Sequence, residues 1–336
     1  MIVELLEFTS SGIYCEKADV YIDPWRKVPK ALITHGHADH ARSGMGSYLA
    51  SEAALPVMRH RLGTIDAQGI PYGREICING VKFSFHPAGH LIGSSQIRVE
   101  HKGEVWVASG DYKVENDGIT EAFEPVPCHT FITECTFGLP VFDWRPQAEV
   151  FEEIHAWWRK NQEQGKVSVL VAYSLGKAQR VIHNLDGSIG PILTHGAVEN
   201  INEVLRAQGI DLQDTRRVTP EITKEEMKGA LVIGPSSILG NPWLRKFSPF
   251  ETAMVSGWMA MRGNRRRRAL DRGFVLSDHA DWKGLNQTIE SLGCERVITT
   301  HGYSEIYARY LRERGLQAQV ESTEYEGDQI NENEGS

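Results

Sequence analysis

Residues 31–44 have the sequence ALITHGHADHARSG, which places three histidines and one aspartate within six positions directly after a short apolar run. Imidazole and carboxylate are ligands that suit zinc and similar dications. Side chains at positions i and i+2 can converge in a loop that leaves a strand, so His35 and His37 can share one ion. Asp39 and His40 then point to a neighbouring position. A polar surface turn is the alternative for this stretch on its own.

Three further candidate ligands directly follow apolar, strand-like runs elsewhere in the chain. His90 lies in FSFHPAGHLIGSS, Asp111 in VWVASGDY and His301 in RVITTHGY. A natural partition assigns one metal to His35, His37 and His90 and the other to Asp39, His40 and His301, with Asp111 as a bridge. Two ions about 3.5–4 Å apart can hold an attacking hydroxide and a phosphoryl oxygen together.

The composition is that of an ordinary globular protein, since 41% of the 336 residues are hydrophobic and 24% are charged. The length suits two domains, or one domain that carries an insertion. No apolar run approaches the roughly 18 residues of a membrane helix, and the first residues lack the features of a secretory signal. The five cysteines are scattered without a CxxC pair, which argues against a cysteine zinc site and favours a reducing compartment. We therefore expect a cytoplasmic protein with no membrane partner.

The net charge of −8 hides a segregation of charge along the chain. Residues 143–272 hold 19 of the 36 Lys and Arg residues but 15 of the 44 Asp and Glu residues, so this segment is basic and the remainder acidic. An acidic body that houses dications and a basic segment that faces a polyanion would give this distribution. Chance segregation is the alternative.

The hydrophobic pattern changes period along the chain. Short strand patterns dominate residues 1–140, whereas a helical period begins near residue 147 and helices then alternate with strands, which favours a parallel sheet. The strand pattern returns near residue 273. We therefore predict an α/β protein whose segments are 1–142, an insertion at 143–272, and 273–336. The last residues, EGDQINENEGS, are polar and are expected to be disordered.

Seven stretches resemble motifs of a known protein family. YIDPW with Asp23, THGHADH, AGHLIGS and SGDY match those of the metallo-β-lactamase fold. ITECTFG, VLSDHADW and VITTHG resemble the further motifs of the β-CASP nucleases, with Glu134, His279 and His301 as key residues. The subfamily resembled most is that of the bacterial DNA ligase-associated DNA damage response exonucleases. These are relatives of Artemis and of the pre-mRNA 3′-end cleavage subunit.

The resemblance implies an αββα sandwich with an inserted α/β β-CASP domain at 143–272. It also implies two divalent ions, zinc or else manganese, and hydrolysis of phosphodiester bonds. For the subfamily it implies a 5′→3′ DNA exonuclease in DNA repair, with a DNA ligase and a helicase of the same pathway as partners. His301 is similar to the RNA-processing branch, because the Artemis branch has an apolar residue there. The choice of DNA over RNA therefore rests on subfamily resemblance alone.

The family also implies a role for each candidate residue. A hydroxide held between the two ions is the nucleophile, and Asp39 can accept its hydrogen bond and aim it. His279 is the candidate general acid for the leaving oxygen, with Glu134 holding and charging its ring. Asp23 is expected to be structural and to orient the metal-binding loop through hydrogen bonds.

Donors for phosphate are predicted within the insertion. Ser174 is expected to cap a helix whose first turns carry Lys177 and Arg180, and helix N-termini bind phosphate well. Ser236 and Ser237 lie in a glycine-bearing turn of the same kind. The run RGNRRRR adds Arg262 and a group of nucleic-acid contacts at Arg265, Arg266, Arg267 and Arg268. A solvated surface is the alternative for this arginine run.

Three rival functions follow from the same residues. A ribonuclease of the same fold is excluded by nothing in the sequence. A small-ester hydrolase, such as a lactonase, would lack the insert and would not need His279 behind Glu134. A non-catalytic scaffold predicts missing ligands, whereas every ligand position is filled.

Overall fold

A computed structural model describes residues 4–261 and 263–325, a part of the chain that contains three β-sheets and eight α-helices. The strands are β1 (Glu7–Phe8), β2 (Ile13–Cys15), β3 (Val20–Ile22), β4 (Lys30–Leu32), β5 (Ser47–Ser51), β6 (Ala67–Ile70), β7 (Ile76–Ile78), β8 (Val81–Pro87), β9 (Ser95–His101), β10 (Glu104–Ala108), β11 (Thr130–Cys135), β12 (Val167–Val171), β13 (Ile192–Thr194), β14 (Arg216–Arg217), β15 (Leu231–Gly234), β16 (Phe250–Val255), β17 (Arg272–Phe274), β18 (Arg296–Gly302) and β19 (Gln317–Val320). The helices are α1 (Leu55–Leu62), α2 (Gln147–Glu163), α3 (Lys177–Asn184), α4 (Gly196–Ala207), α5 (Lys224–Met227), α6 (Asn264–Arg267), α7 (Trp282–Leu292) and α8 (Ser304–Glu313). The predicted α/β class is confirmed.

The chain divides into two compact units. The first comprises residues 4–116, 120–143 and 279–325, and the second comprises 117–119 and 144–278. The identification of the middle segment as an inserted β-CASP domain at 143–272 stays a prediction. The polar stretch 326–336 and Arg262 lie outside the described residues. Among the described residues, no helix is both long and apolar enough to cross a membrane.

Two sheets form the centre of the first unit. One has the order β1-β2-β3-β4-β5-β6, and the other has the order β19-β18-β11-β10-β9-β8-β7. Ile22 and Leu32 from the first sheet share one buried cluster with Phe85, Trp106 and Ile132 from the second. The two sheets therefore pack against each other through apolar side chains, and each such side chain contributes about 1.5–3 kcal/mol on burial.

Helices cover other apolar faces of the same two sheets. Met58 of α1 packs in a cluster with Tyr48 of β5, and residues of α7 and α8, including Leu285 and Tyr307, pack with Phe131 of β11. These helices bury the apolar side chains that point away from the shared cluster, so that both sheets serve as a rigid base for the loops at their strand ends.

The second unit contains a six-stranded sheet with the order β14-β13-β15-β12-β16-β17. All of its strand pairs are parallel, as the alternation of helix and strand patterns predicted. Its core includes Val169, Val232 and Met254. Helix α2 buries the apolar stripe that its sequence indicates, including Phe151 and Trp158.

The prediction that Ser174 caps a helix is wrong. Helix α3 begins at Lys177 and its N-cap is Gly176, whose backbone N donates to the side-chain Oε1 of Gln179 over 2.8 Å. Gly176 has φ +94°, a conformation that glycine adopts without steric cost. The carbonyl of Ser174 instead accepts a hydrogen bond from Gln179 Nε2. Capping was therefore decided by the backbone of Gly176 and not by the hydroxyl two residues before it.

Two glycines with nearly the same positive φ lie in different surroundings. Gly302 has φ +90° and Gly315 has φ +91°, but a Cβ at Gly302 would lie 2.4 Å from the carbonyl oxygen of Cys135, whereas no described atom lies within 4 Å of one at Gly315. Alanine at either position carries the backbone cost of about 1–2 kcal/mol for positive φ. We expect the unfolding free energy of Gly302→Ala to fall by about 1–3 kcal/mol more than that of Gly315→Ala, as is usual for an overpacked site.

Urea unfolding of both variants measures this difference directly. Gly315→Ala is the matched control because it changes the same atoms at the same φ. Equal losses of unfolding free energy in the two variants would contradict the steric argument.

Candidate metal centre

Asp23 holds the loop that carries the predicted ligands after β4. Its Oδ1 accepts a hydrogen bond from the backbone N of Thr34 over 2.8 Å, and its Oδ2 lies 2.7 Å from Nδ1 of His40. Because Asp23 engages Nδ1, the Nε2 atom of His40 is directed to a different partner. Asp23 is buried and has φ +42°, an uncommon value for a residue with a side chain. These contacts suit the orienting role that the sequence predicted.

Four predicted ligands converge at one point. His37 Nδ1 lies 3.2 Å from His35 Nε2 and 3.1 Å from His90 Nε2. Asp111 Oδ2 lies 3.6 Å from His35 Nε2 and 3.8 Å from His90 Nε2. Ligands bound tetrahedrally at about 2.0–2.1 Å from a zinc ion would be roughly 3.3–3.4 Å apart. The four residues therefore fit a single zinc-like cation.

The other predicted ligands also lie close to Asp111 or to one another. His301 Nε2 lies 3.1 Å from Asp111 Oδ1, and His40 Nε2 lies 3.6 Å from Asp111 Oδ2 and 3.8 Å from Asp39 Oδ2. Among the described residues, His40 Nε2, His301 Nε2 and Asp111 Oδ1 are buried atoms without a properly aligned hydrogen bond. Such atoms usually cost about 1–3 kcal/mol each. A second cation would satisfy all three, so the donor set fits it.

The charges of the cluster are strongly coupled. Burial lowers the pKa of His40, but the facing carboxylates, Asp111 above all, outweigh burial and raise that pKa to about 10. Burial raises the pKa of Asp111, yet His40 and His301 bring it well below its usual range. Burial, followed by His40, lowers the pKa of His35 well below normal. The carboxylate field that favours a proton on His40 also attracts a metal cation in its place.

Glu134 and His279 form a buried pair beside this cluster. His279 Nδ1 lies 2.7 Å from Glu134 Oε1, which also accepts a hydrogen bond from the backbone N of Tyr112 over 3.0 Å. Burial raises the pKa of Glu134, but the neighbouring His279 outweighs burial and lowers it. The ring centre of His279 lies 4.7 Å from that of His90. Donor atoms of Asp111, Glu134 and His279 also lie within 4.8 Å of one another, so geometry alone allows His279 to be a ligand or a proton donor.

Tyr325 is part of the centre, although none of the sequence motifs includes it. Its ring stacks on that of His40 with 4.2 Å between centres, and it meets the ring of His301 edge-on at 5.7 Å. Its hydroxyl donates to the backbone oxygen of Asp23 over 3.1 Å. Tyr325 is the only aromatic residue in positions 311–336, and this isolation in a polar stretch was the available signal.

Two of the predicted phosphate contacts are engaged inside the second unit. Arg180 donates to the carbonyl oxygen of Ser277 and to Asp278 Oδ1, over 2.6 and 3.0 Å. Lys177 Nζ lies 3.5 Å from Asp278 Oδ2. Both cations are buried. Their binding to phosphate stays a prediction, as it does for Ser174.

The remaining predicted contacts also belong to the second unit. Ser236 and Ser237 are half-buried in a 3₁₀ helix that covers Ser236–Ile238. Arg266 is exposed and Arg268 is half-buried around the short helix α6. The side chains of Arg265 and Arg267 lie outside what the structure describes. Nucleic-acid contact by this group stays a prediction.

Comparison with known proteins finds relatives that process nucleic acids, but no family model matches the chain. Over 92% of its length the chain is 31% identical to a probable DNA ligase of Opitutus terrae. Over 41% of its length it is 29% identical to the endoribonuclease YSH1 of Yarrowia lipolytica and 27% identical to the cleavage and polyadenylation specificity factor 73 of Drosophila melanogaster. The chain spans 30%, 16% and 19% of these relatives, respectively, so it corresponds to less than a third of each.

A solved structure shares the fold. It is the crystal structure of a protein of unknown function from Enterococcus faecalis, with a TM-score of 0.58 and 10% identity. The match covers 88% of this chain and 79% of that one. At this identity the likeness extends to the fold alone.

The stacking of Tyr325 generates a prediction about cation retention. We expect protein purified without added metal to hold two divalent ions per chain, and Tyr325→Ala to retain about one after dialysis against a mild chelator. The reason is that His40 and His301 lose the ring that supports them both. Elemental analysis measures the ratio of metal to protein.

Tyr325→Phe is the matched control for this measurement. It keeps the ring and removes only the hydrogen bond to Asp23, so it should retain both ions. Equal metal content in wild type and Tyr325→Ala would show that the ring does not support these ligands.

Proposed function

The chain belongs to the β-CASP family of metallo-β-lactamase-type nucleases, and on this premise we propose that it is a metal-dependent nuclease acting on DNA. The observation that carries the proposal is the buried set of ligand atoms on His40, His301 and Asp111 that lie close together without an aligned hydrogen bond. A structural histidine cluster would satisfy these atoms within the protein, whereas a metal centre leaves them to the cation.

Seven residues would hold the metal. Asp111 would contact both ions; the first set is His35, His37 and His90, and the second is Asp39, His40 and His301. When bound, divalent cations, zinc or else manganese, supply an activated water and positive charge beside the phosphate oxygens. Asp39 has a side chain that is 15% exposed, against 0% for His40, so its carboxylate can also accept a hydrogen bond from an attacking water.

His279 would protonate the leaving oxygen. Its Nδ1 is held by Glu134, so the Nε2 edge of the ring is the one that can present a proton to a substrate. Glu134 is fixed by Tyr112 and also accepts from the backbone N of Thr136 over 3.3 Å. A charged, immobilised carboxylate of this kind favours the protonated imidazole that a general acid must be.

DNA is the proposed substrate, with cleavage from an end in the 5′→3′ direction during DNA repair. This choice is supported by the similarity to a probable DNA ligase over 92% of the chain. A DNA ligase and a helicase of the same pathway are the proposed partners. The second candidate is an RNA-processing nuclease, which is favoured by the similarity to endoribonuclease YSH1 and by His301 in the last motif.

Digestion of defined substrates tests this function. Single- and double-stranded DNA and RNA, labelled at the 5′ or 3′ end, are incubated with protein and either zinc or manganese. We expect label at the 5′ end of linear DNA to be released first, while a covalently closed circle survives. Faster cleavage of RNA would favour the second candidate, and efficient cutting of the circle would make the protein an endonuclease.

A leaving-group substitution tests the role of His279. His279→Ala should keep its metal and its DNA affinity, but cleavage should slow by about 10²–10⁴-fold, the usual contribution of a general acid. A substrate with sulfur in place of the leaving oxygen should restore much of this rate, because a thiolate of pKa about 8.5 leaves without a proton. Glu134→Gln should show a milder defect of the same kind.

Asp111→Ala is the control for this experiment, because it removes a metal ligand and sulfur should not rescue it. A His279→Ala variant that has lost metal, or that sulfur fails to rescue, would place His279 among the ligands or the scaffold.

A further inference from the structure

An open pocket of about 550 Å³ lies in the first unit beside the metal-binding loop. Ala38 and Ala41, which flank Asp39 and His40 in the sequence, form part of its wall. Four cationic side chains also line it, namely Arg26, Lys27, Arg42 and Arg61. The described lining carries no carboxylate. The volume is that of a pocket for a small ligand or one segment of a larger one.

Two of these cations are bonded to the metal-binding loop itself. Arg42 Nε donates to the carbonyl oxygen of Asp39 over 3.2 Å, and Arg61 donates to the carbonyl oxygen of Gly36. The loop that carries Asp39 and His40 therefore also contributes to the wall of the pocket.

One of these cations, Arg26, is already paired with a carboxylate from outside the pocket lining. Both terminal nitrogens of the Arg26 guanidinium contact the two carboxylate oxygens of Glu324, and Arg42 Nη2 donates to the Glu324 carbonyl oxygen over 2.9 Å. A guanidinium binds carboxylate and phosphate with the same forked geometry. The side chains of Arg26 and Glu324 are 55% and 43% exposed, so this pair is open to exchange with a dissolved anion.

We propose that this basic pocket binds backbone phosphates of the DNA substrate adjacent to the bond being cleaved, and that Glu324 stays paired with Arg26 until the strand displaces it. The inference rests on the proposed nuclease function. Arginine and lysine contacts to phosphate position a strand without selecting its sequence. The pocket therefore contributes affinity and register, while the metal centre contributes the chemistry.

Removing the cations and removing the carboxylate should have opposite effects. Arg26→Ala combined with Lys27→Ala should weaken binding of a single-stranded DNA oligonucleotide by about tenfold, and should lower the slope of log K against log salt by about 0.7 for each cation lost. Glu324→Gln should tighten binding, because it frees the Arg26 fork. Fluorescence anisotropy over a salt series, after a strong chelator has removed bound metal to prevent cleavage, measures both.

Lys82→Ala is the matched control. Lys82 is an exposed cation on β8 that pairs with Glu75 and Glu100, and its removal should leave DNA binding unchanged. Hydrolysis of bis(p-nitrophenyl) phosphate, a phosphodiester with no neighbouring phosphate, should be the same in Lys82→Ala and the wild type.

Each outcome bears on a different statement. Phosphate binding by the pocket would be contradicted if the double variant kept its affinity and salt slope. It would also be contradicted if Glu324→Gln bound DNA no more tightly than the wild type. Failure of the wild type to hydrolyse either bis(p-nitrophenyl) phosphate or DNA would instead overturn the proposed function, whereas the binding measurements would still decide the pocket.

Discussion

The buried carboxylate of Asp111 is the charge on which the rest of the metal centre depends. Transfer of a carboxylate out of water costs several kcal/mol unless partners compensate for it. The compensation here comes from imidazoles, whose Nε2 atoms lie within 3.1–3.8 Å of its two oxygens; they belong to His35, His40, His90 and His301. A neutral imidazole carries a proton on only one of its two nitrogens, so a divalent cation bound among these rings would complete the compensation.

The two sheets of the first unit hold these ligands close to one another. The ligands follow or end strands β4, β8, β10 and β18, which the shared apolar cluster holds in fixed register. Each imidazole is then restrained by its own neighbour: Asp23 and Tyr325 restrain His40, and Thr34 Oγ1 lies 3.0 Å from Nδ1 of His35. Restraint by packing holds the ligands close together, which would limit the rearrangement that binding of a cation requires.

Local chemistry explains how much could be predicted from the sequence. The HxHxDH pattern and the strand-end positions of His90, Asp111 and His301 depend on residue type and period, and the structure brings these residues together. Assignment of Glu134 to His279 came from family resemblance, and their atoms are in contact. Ser174 failed as a cap because capping depends on the backbone angle of Gly176, which composition does not determine.

Long-range contacts explain most of what the sequence could not predict. Tyr325 reaches Asp23 across 302 positions, and Glu324 reaches Arg26 across 298, so no local pattern links them. The cations of the basic pocket are likewise spread over two loops and a helix, and only folding gathers them. The preference for DNA or RNA depends on the shape that a bound strand would meet, which residue types alone do not specify.

The meeting of Asp23 with Tyr325 also has a consequence for biosynthesis. Strand β18 pairs with β11 and carries His301, so the centre lacks a ligand and its supporting ring until the ribosome has released residues 296–325. Translation proceeds at roughly 5–20 residues per second. The ligands at positions 35–40 therefore emerge many seconds before His301 and Tyr325. A nascent chain attached to its own messenger RNA thus holds an incomplete centre until residues 296–325 have emerged.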